Sequence, residues 1–225
     1  MIPLRDHNPT RRFPFVNYLL IIFNVAICIY TYTLSLPALD DFFNRFALTP
    51  TLVLQGENLL SFLTSMFLHA GLGHLLGNML FLHIFGDNLE DYLGHFRYLL
   101  FYLACGLAAD FAQIFVDPTS AIPQVGASGA IAGVMGAYLL LYPKHKIDIL
   151  FSFGWWYEQT TLPAWTMLFY WFLAQLLTGV GSLGMVEEGG VAYFAHLGGF
   201  LAGMILVKLM GGRRRAAELE AWKEY

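Results

Sequence analysis

Ser128 stands in the run Gly126-Ala127-Ser128-Gly129, at the head of an apolar segment. A serine hydroxyl becomes a strong nucleophile when a neighbouring base takes its proton. His196, which closes the run Val191-Ala192-Tyr193-Phe194-Ala195-His196, offers an imidazole inside another apolar segment. A serine at a helix start also has free backbone N–H groups beside it, and these can hold an oxyanion. The same residues have a plainer reading, because Ser and Gly are common where membrane helices pack, and Gly129 and Gly133 form a Gly-x-x-x-Gly pair. Gly199 and Gly203 follow His196 at i+3 and i+7 and share roughly its face. That bare face can sit against the glycine face behind Ser128. The hydrolase elbow Gly-x-Ser-x-Gly is not met, since residue 130 is Ala.

His74 and Asn78 lie at i and i+4, on one helix face. They serve either as polar glue between helices or as two donors to an oxyanion. His69 falls off that face and is expected in a turn that orders the preceding loop. A competing chemistry is a metal site built from His69, His74, His196 and Asp110. No His-Glu-x-x-His supports it. Glu90, in Gly86-Asp87-Asn88-Leu89-Glu90-Asp91, reads as a solvated helix end or as a carboxylate that bonds nearby backbone and fixes a loop. His7, His95 and His145 read as surface residues, and His83 has no evident partner.

These residues need elements to position them. The 225-residue chain is 57% hydrophobic and 12% charged, with mean hydropathy +0.58. A soluble domain carries about 25% charged residues, so this composition points to a membrane protein and excludes disorder. A net charge of −4 argues against nucleic-acid binding. Cys28 and Cys105 both lie in apolar runs and read as separate small residues rather than a disulfide pair.

A transmembrane helix takes roughly 20 apolar residues. Six segments qualify, near 15–34, 72–89, 98–116, 127–142, 162–180 and 191–210. The first is too long for the apolar core of a signal peptide and reads as a retained span. With six spans, every Lys and Arg except Arg45 falls on the side of the two termini. Both termini are therefore expected in the cytoplasm. The connection between the first two spans is long and apolar, and is expected to lie partly in the membrane interface as short amphipathic helices. The link from Pro143 to Pro163 carries Trp155 and Trp156, read as interfacial anchors. Spans two, four and six place His74 and Asn78, Ser128, and His196 near their outer ends, which suggests one shared site below the outer surface.

At this point the sequence resembles the rhomboid intramembrane serine proteases. Gly126-Ala127-Ser128-Gly129 is similar to their Gly-x-Ser-Gly motif. Ala195-His196-Leu197-Gly198-Gly199 with Gly203 is similar to their Ala-His-x-x-Gly-x-x-x-Gly motif. His69, His74 and Asn78 fit their second-span pattern, and Gly86, Glu90 and Gly94 fit its end. The resemblance implies an all-α bundle of six transmembrane helices forming one domain over 1–225, in a prokaryotic plasma membrane. It implies Ser128 as nucleophile, His196 as base with no third acid, and His74 and Asn78 in the oxyanion hole. His69, Gly126, Gly129, Gly199, Gly203 and Glu90 would support them. The long first loop would be a membrane-embedded hairpin. Residues Gly181 to Gly190 would cap the site, and the fifth span would border a lateral entry path. The partners implied are the lipid bilayer and transmembrane protein substrates, with no cofactor. An inactive relative that holds membrane-protein clients, and a metal-dependent membrane hydrolase, are the alternatives. A transporter is less well supported, since inverted repeats and broken mid-membrane helices are not evident. Leu60 and Ser61 stand where the family often has Trp-Arg. Ala132 stands where a Tyr often packs on the histidine, leaving Phe194 or Tyr138 to hold that ring.

Overall fold

An apolar chain in lipid must satisfy its backbone polar groups internally, and a helix does so within one segment. The computed structural model describes residues 1–153, 155–182 and 192–211. After a short strand β1 (Ile2–Asp6) come the helices α1 (Phe15–Thr31), α2 (Leu36–Phe46), α3 (Pro50–Leu54) and α4 (Ser61–Thr64). A 3-10 turn (Ser65–Phe67) leads to α5 (Leu72–Leu93), α6 (His95–Val116) and α7 (Ser128–Leu141). Strands β2 (Lys146–Phe153) and β3 (Trp156–Pro163) precede α8 (Ala164–Ser182) and α9 (Tyr193–Met210).

Among the described residues, α6, α8 and α9 are long and apolar enough to cross a membrane. Residues Ser61–Phe67 and α5 pass the same test only as a pair, bent by 93°. Helices α1 and α7 are apolar but shorter, with 17 and 14 residues. The six apolar segments each hold a helix, with ends displaced by a few residues from those read in the sequence. The expected cap from Gly181 to Gly190 lies outside the described residues from 183 onward.

The expectation of an all-α protein needs correction. β1, β2 and β3 form an antiparallel sheet in the order β1-β2-β3. Ile147 and Ile149 are fully buried, and β-branched residues suit such a half-buried pleat. Between them Asp148 accepts from Arg5 Nε at 2.7 Å and from Thr161 Oγ1 at 2.7 Å, and pairs with His7 Nε2 at 2.9 Å. One carboxylate thus joins all three strands' ends. Hydropathy hides this sheet because β1 and β2 are more than a hundred residues apart. Trp155 and Trp156 sit at the β2–β3 turn, with 95% and 63% of their surface exposed.

Glu90 is buried and accepts the N–H groups of Val16 at 2.9 Å and Asn17 at 2.7 Å. Those are among the orphan donors of the first turn of α1, so an α5 carboxylate caps α1 from outside its own segment. His95 is exposed, as expected, and also bonds Glu90. Beside this cap Asn17 Nδ2 donates to Leu82 O at 3.1 Å, and Tyr98 OH donates to Asn17 Oδ1 at 2.7 Å. Gly86 leaves the room, since a Cβ there would stand 2.1 Å from Asn17 Oδ1. Cys28 and Cys105 are free and buried.

Candidate active site

Ser128 is the first residue of α7. Gly126, just before it, has φ +130°, where a side chain would be strained. A Cβ there would also stand 2.8 Å from His74 Cε1 and 3.6 Å from Ser128 Oγ. The glycine therefore lets the His74 ring and the serine hydroxyl share one small space. Its N–H donates to Ser65 O at 2.9 Å, which ties the approach to α7 to the turn ahead of α5.

His196 lies in the first turn of α9 and is 8% exposed. Helices α7 and α9 meet backbone to backbone. A Cβ on Gly203 would stand 2.0 Å from Gly133 O, and one on Gly136 would stand 2.2 Å from Phe200 O. At that separation Ser128 Oγ and His196 Nε2 are 2.8 Å apart. On the other side of the ring, His196 Nδ1 lies 2.8 Å from Gln175 Oε1 of α8. Trp171, one turn earlier on α8, covers the imidazole with ring centroids 5.9 Å apart.

These two α8 residues correct the expectation for His196. Tyr138 instead donates its hydroxyl to Asp6 Oδ2 at 2.8 Å, and Phe194 lies beside Gly179. Gln175 was missed although it carries the signal that singled out His74 and Asn78, a polar side chain in an apolar helix. Gln113 carries it too, and its Oε1 accepts the Ala195 N–H at 3.1 Å in the first turn of α9.

Asn78 is buried, and its Nδ2 donates to His69 Nε2 at 2.9 Å. The amide has two N–H bonds, so one remains for another acceptor. The His69 and His74 rings meet edge to face at 5.1 Å. His69 thus sits in the short link between the 3-10 turn and α5, touching both residues of the α5 pair. The alternative of a metal site gains no geometry: among the described residues no three of His, Cys, Asp and Glu gather as ligands. Asp110 instead has a buried Oδ2 that meets no hydrogen-bond partner among the described residues. His83 packs beside Tyr18, with ring centroids 6.1 Å apart.

Fold and site together define a helical membrane protein in which a serine and a histidine touch between two close-packed helices. A model of the Rhomboid domain matches residues 56–213. "RHOMBOID-like protein 6, mitochondrial" of Arabidopsis thaliana is 34% identical over 155 residues, covering 68% of this chain and 44% of the relative. "Rhomboid-like protein 11, chloroplastic" of the same plant is 32% identical over 154 residues, covering 66% of this chain and 51% of the relative. "Rhomboid protease GluP" of Bacillus subtilis is 38% identical over 104 residues, covering 46% of this chain and 20% of the relative. The chain belongs to the rhomboid family, a family of multi-pass membrane proteins that includes serine proteases. It spans about half the length, or less, of these curated relatives. Their names place them in organelles and in a bacterium alike, so a prokaryotic plasma membrane is not supported.

Proposed function

We propose that the chain is an intramembrane serine endopeptidase that cuts transmembrane proteins within or near their membrane segments. The observation that carries this reading is the 2.8 Å contact between Ser128 Oγ and His196 Nε2. The name "Rhomboid protease GluP" borne by a relative is consistent with it. On this reading α1, α5, α6, α7, α8 and α9 are six spans of one domain over 1–225. Both termini lie on the cation-rich side, and the segment from α2 to α4 is a membrane-associated hairpin.

Ser128 Oγ attacks the scissile carbonyl as His196 Nε2 takes its proton. The carbonyl oxygen becomes an oxyanion, held by the Ser128 backbone N–H with His74 and the free Asn78 N–H. His196 then returns the proton to the leaving amine, which gives an acyl-enzyme. Water, activated by the same imidazole, releases the acid and restores Ser128. Gly129, Gly199 and Gly203 let the two helices lie close, Gly126 leaves room for His74 beside Ser128, His69 holds Asn78, and Glu90 holds α1.

A serine-reactive fluorophosphonate probe on the purified protein tests the reading, beside Ser128→Ala and His196→Ala. The expected result is labelling of the wild type alone. Labelling that survives Ser128→Ala overturns the nucleophile. A folded wild type that resists the probe moves the client-holding alternative ahead.

A further inference from the structure

We infer that Gln175 is the positioning residue for the His196 imidazole, its side-chain oxygen holding the proton on Nδ1 so that Nε2 faces Ser128 as a free base. The inference rests on the proposed roles of Ser128 and His196. A neutral imidazole has one N–H and one acceptor nitrogen, and the partner of one nitrogen decides the state of the other. Both nitrogens are engaged, each at 2.8 Å: Nδ1 with Gln175 Oε1 and Nε2 with Ser128 Oγ. An amide oxygen can only accept, so Nδ1 donates to it, and Nε2 is left to accept from the serine hydroxyl. The opposite tautomer would aim an N–H at Oγ and have no lone pair for its proton.

The contact is built into the packing of α8 on α9 rather than made by one flexible side chain. Trp171, Gln175 and Gly179 recur every fourth residue and so share one face of α8. They meet α9 in antiparallel register. Trp171 stacks on Phe200 with centroids 6.0 Å apart, Gln175 meets His196, and a Cβ on Gly179 would stand 3.0 Å from Tyr193 Cβ. A rigid aromatic pair on one side and a small residue on the other set the height of Gln175 against the imidazole. The amide also does this work without charge. A carboxylate in its place would bring a desolvation cost that a neutral oxygen avoids. Gln175 Oε1 is the acceptor that the structure gives Nδ1, and removing it leaves that N–H without this hydrogen bond.

The test uses the full chain in detergent micelles with 15N-labelled histidine, the His196 signals being assigned by their loss in His196→Ala. The expected wild-type spectrum has Nδ1 protonated and Nε2 unprotonated. In Gln175→Met, of similar length but without the oxygen, both tautomers are populated. Fluorophosphonate labelling slows by about tenfold or more, in line with one lost buried hydrogen bond. Gln175→Glu, whose carboxylate also accepts from Nδ1, recovers most of that rate while lowering stability through its desolvation cost. A wild-type His196 with its proton on Nε2 overturns the inference without needing any variant. So does a folded Gln175→Met with unchanged tautomer and labelling rate, the outcome for a merely structural glutamine. Should the wild type fail to label at Ser128, the protease reading falls, and the wild-type spectrum still decides the role of Gln175.

Discussion

Gly199 of α9 meets the backbone of Gly129 of α7 so closely that a Cβ on Gly199 would stand 2.0 Å from the Gly129 carbonyl oxygen. The carbonyl cannot yield as a flexible side chain would. Gly199→Ala is expected to force the helices apart at a cost of about 1–3 kcal/mol or more. An opening of even 1 Å is expected to slow labelling of Ser128 by on the order of a hundredfold. Gly77→Ala is the control, because nothing lies within 4 Å of the added Cβ. Thermal unfolding and probe labelling of the two variants check this. Equal behaviour would refute the idea that helix approach sets the Ser128–His196 distance.

Asn78 gives one amide N–H to His69 and keeps the other. Asn78→Ala is expected to lower kcat by about a hundredfold with little change in KM, as for loss of one oxyanion donor. His69→Ala is expected to cost about tenfold, since it frees Asn78 without removing it. The measurement is steady-state cleavage of a transmembrane substrate. Equal losses in kcat and in substrate affinity would instead mark Asn78 as helix glue.

Glu90 ties α5 to the first turn of α1. Glu90→Ala leaves the N–H groups of partly buried Val16 and buried Asn17 without their acceptor. A loss of about 2–3 kcal/mol is expected, the range for hydrogen bonds to a charged group. Glu90→Gln keeps one acceptor oxygen and should lie between. Denaturant unfolding in micelles measures this. A stability unchanged in Glu90→Ala would show that the cap is dispensable.

Asp6, at the end of β1, is partly buried and accepts from Tyr138. Burial raises its carboxyl from 3.8 to about 7; the hydrogen bond from Tyr138 opposes this rise and the charge of Asp87 adds to it. The folded state therefore holds this proton more tightly than the unfolded chain. That contribution is full below pH 3.8 and is lost as pH rises toward 7. Asp148, lowered by its bonds to Thr161, Arg5 and His7, acts oppositely and loses its contribution only as pH falls below the ordinary carboxylate range. Wild-type melting temperature is expected to fall more between pH 4 and pH 8 than that of Asp6→Asn. Parallel curves for the two proteins would exclude Asp6 as the titrating group.

Much of the fold and site is local information, and local information is legible along the chain. Six apolar segments mark the helices because each segment satisfies its own backbone. The i+3, i+4 and i+7 spacings around His196, His74 and Gly129 say which residues share a face. Those spacings also give α7 and α9 one face of small residues each. What they leave open is which face meets which, and at what distance. Ser128 and His196 are 68 residues apart and meet only because glycine backbones touch along α7 and α9. Gln175 and Trp171 reach the imidazole only through the register of α8 against α9. The sheet depends likewise on β1 finding β2 across the length of the bundle. Sequence alone determined the candidate groups and the helices that carry them, since both follow from residue type and period. Tertiary packing alone decided the 2.8 Å contacts on either side of His196, because a hydrogen bond depends on tenths of an ångström that no pattern of residue types encodes.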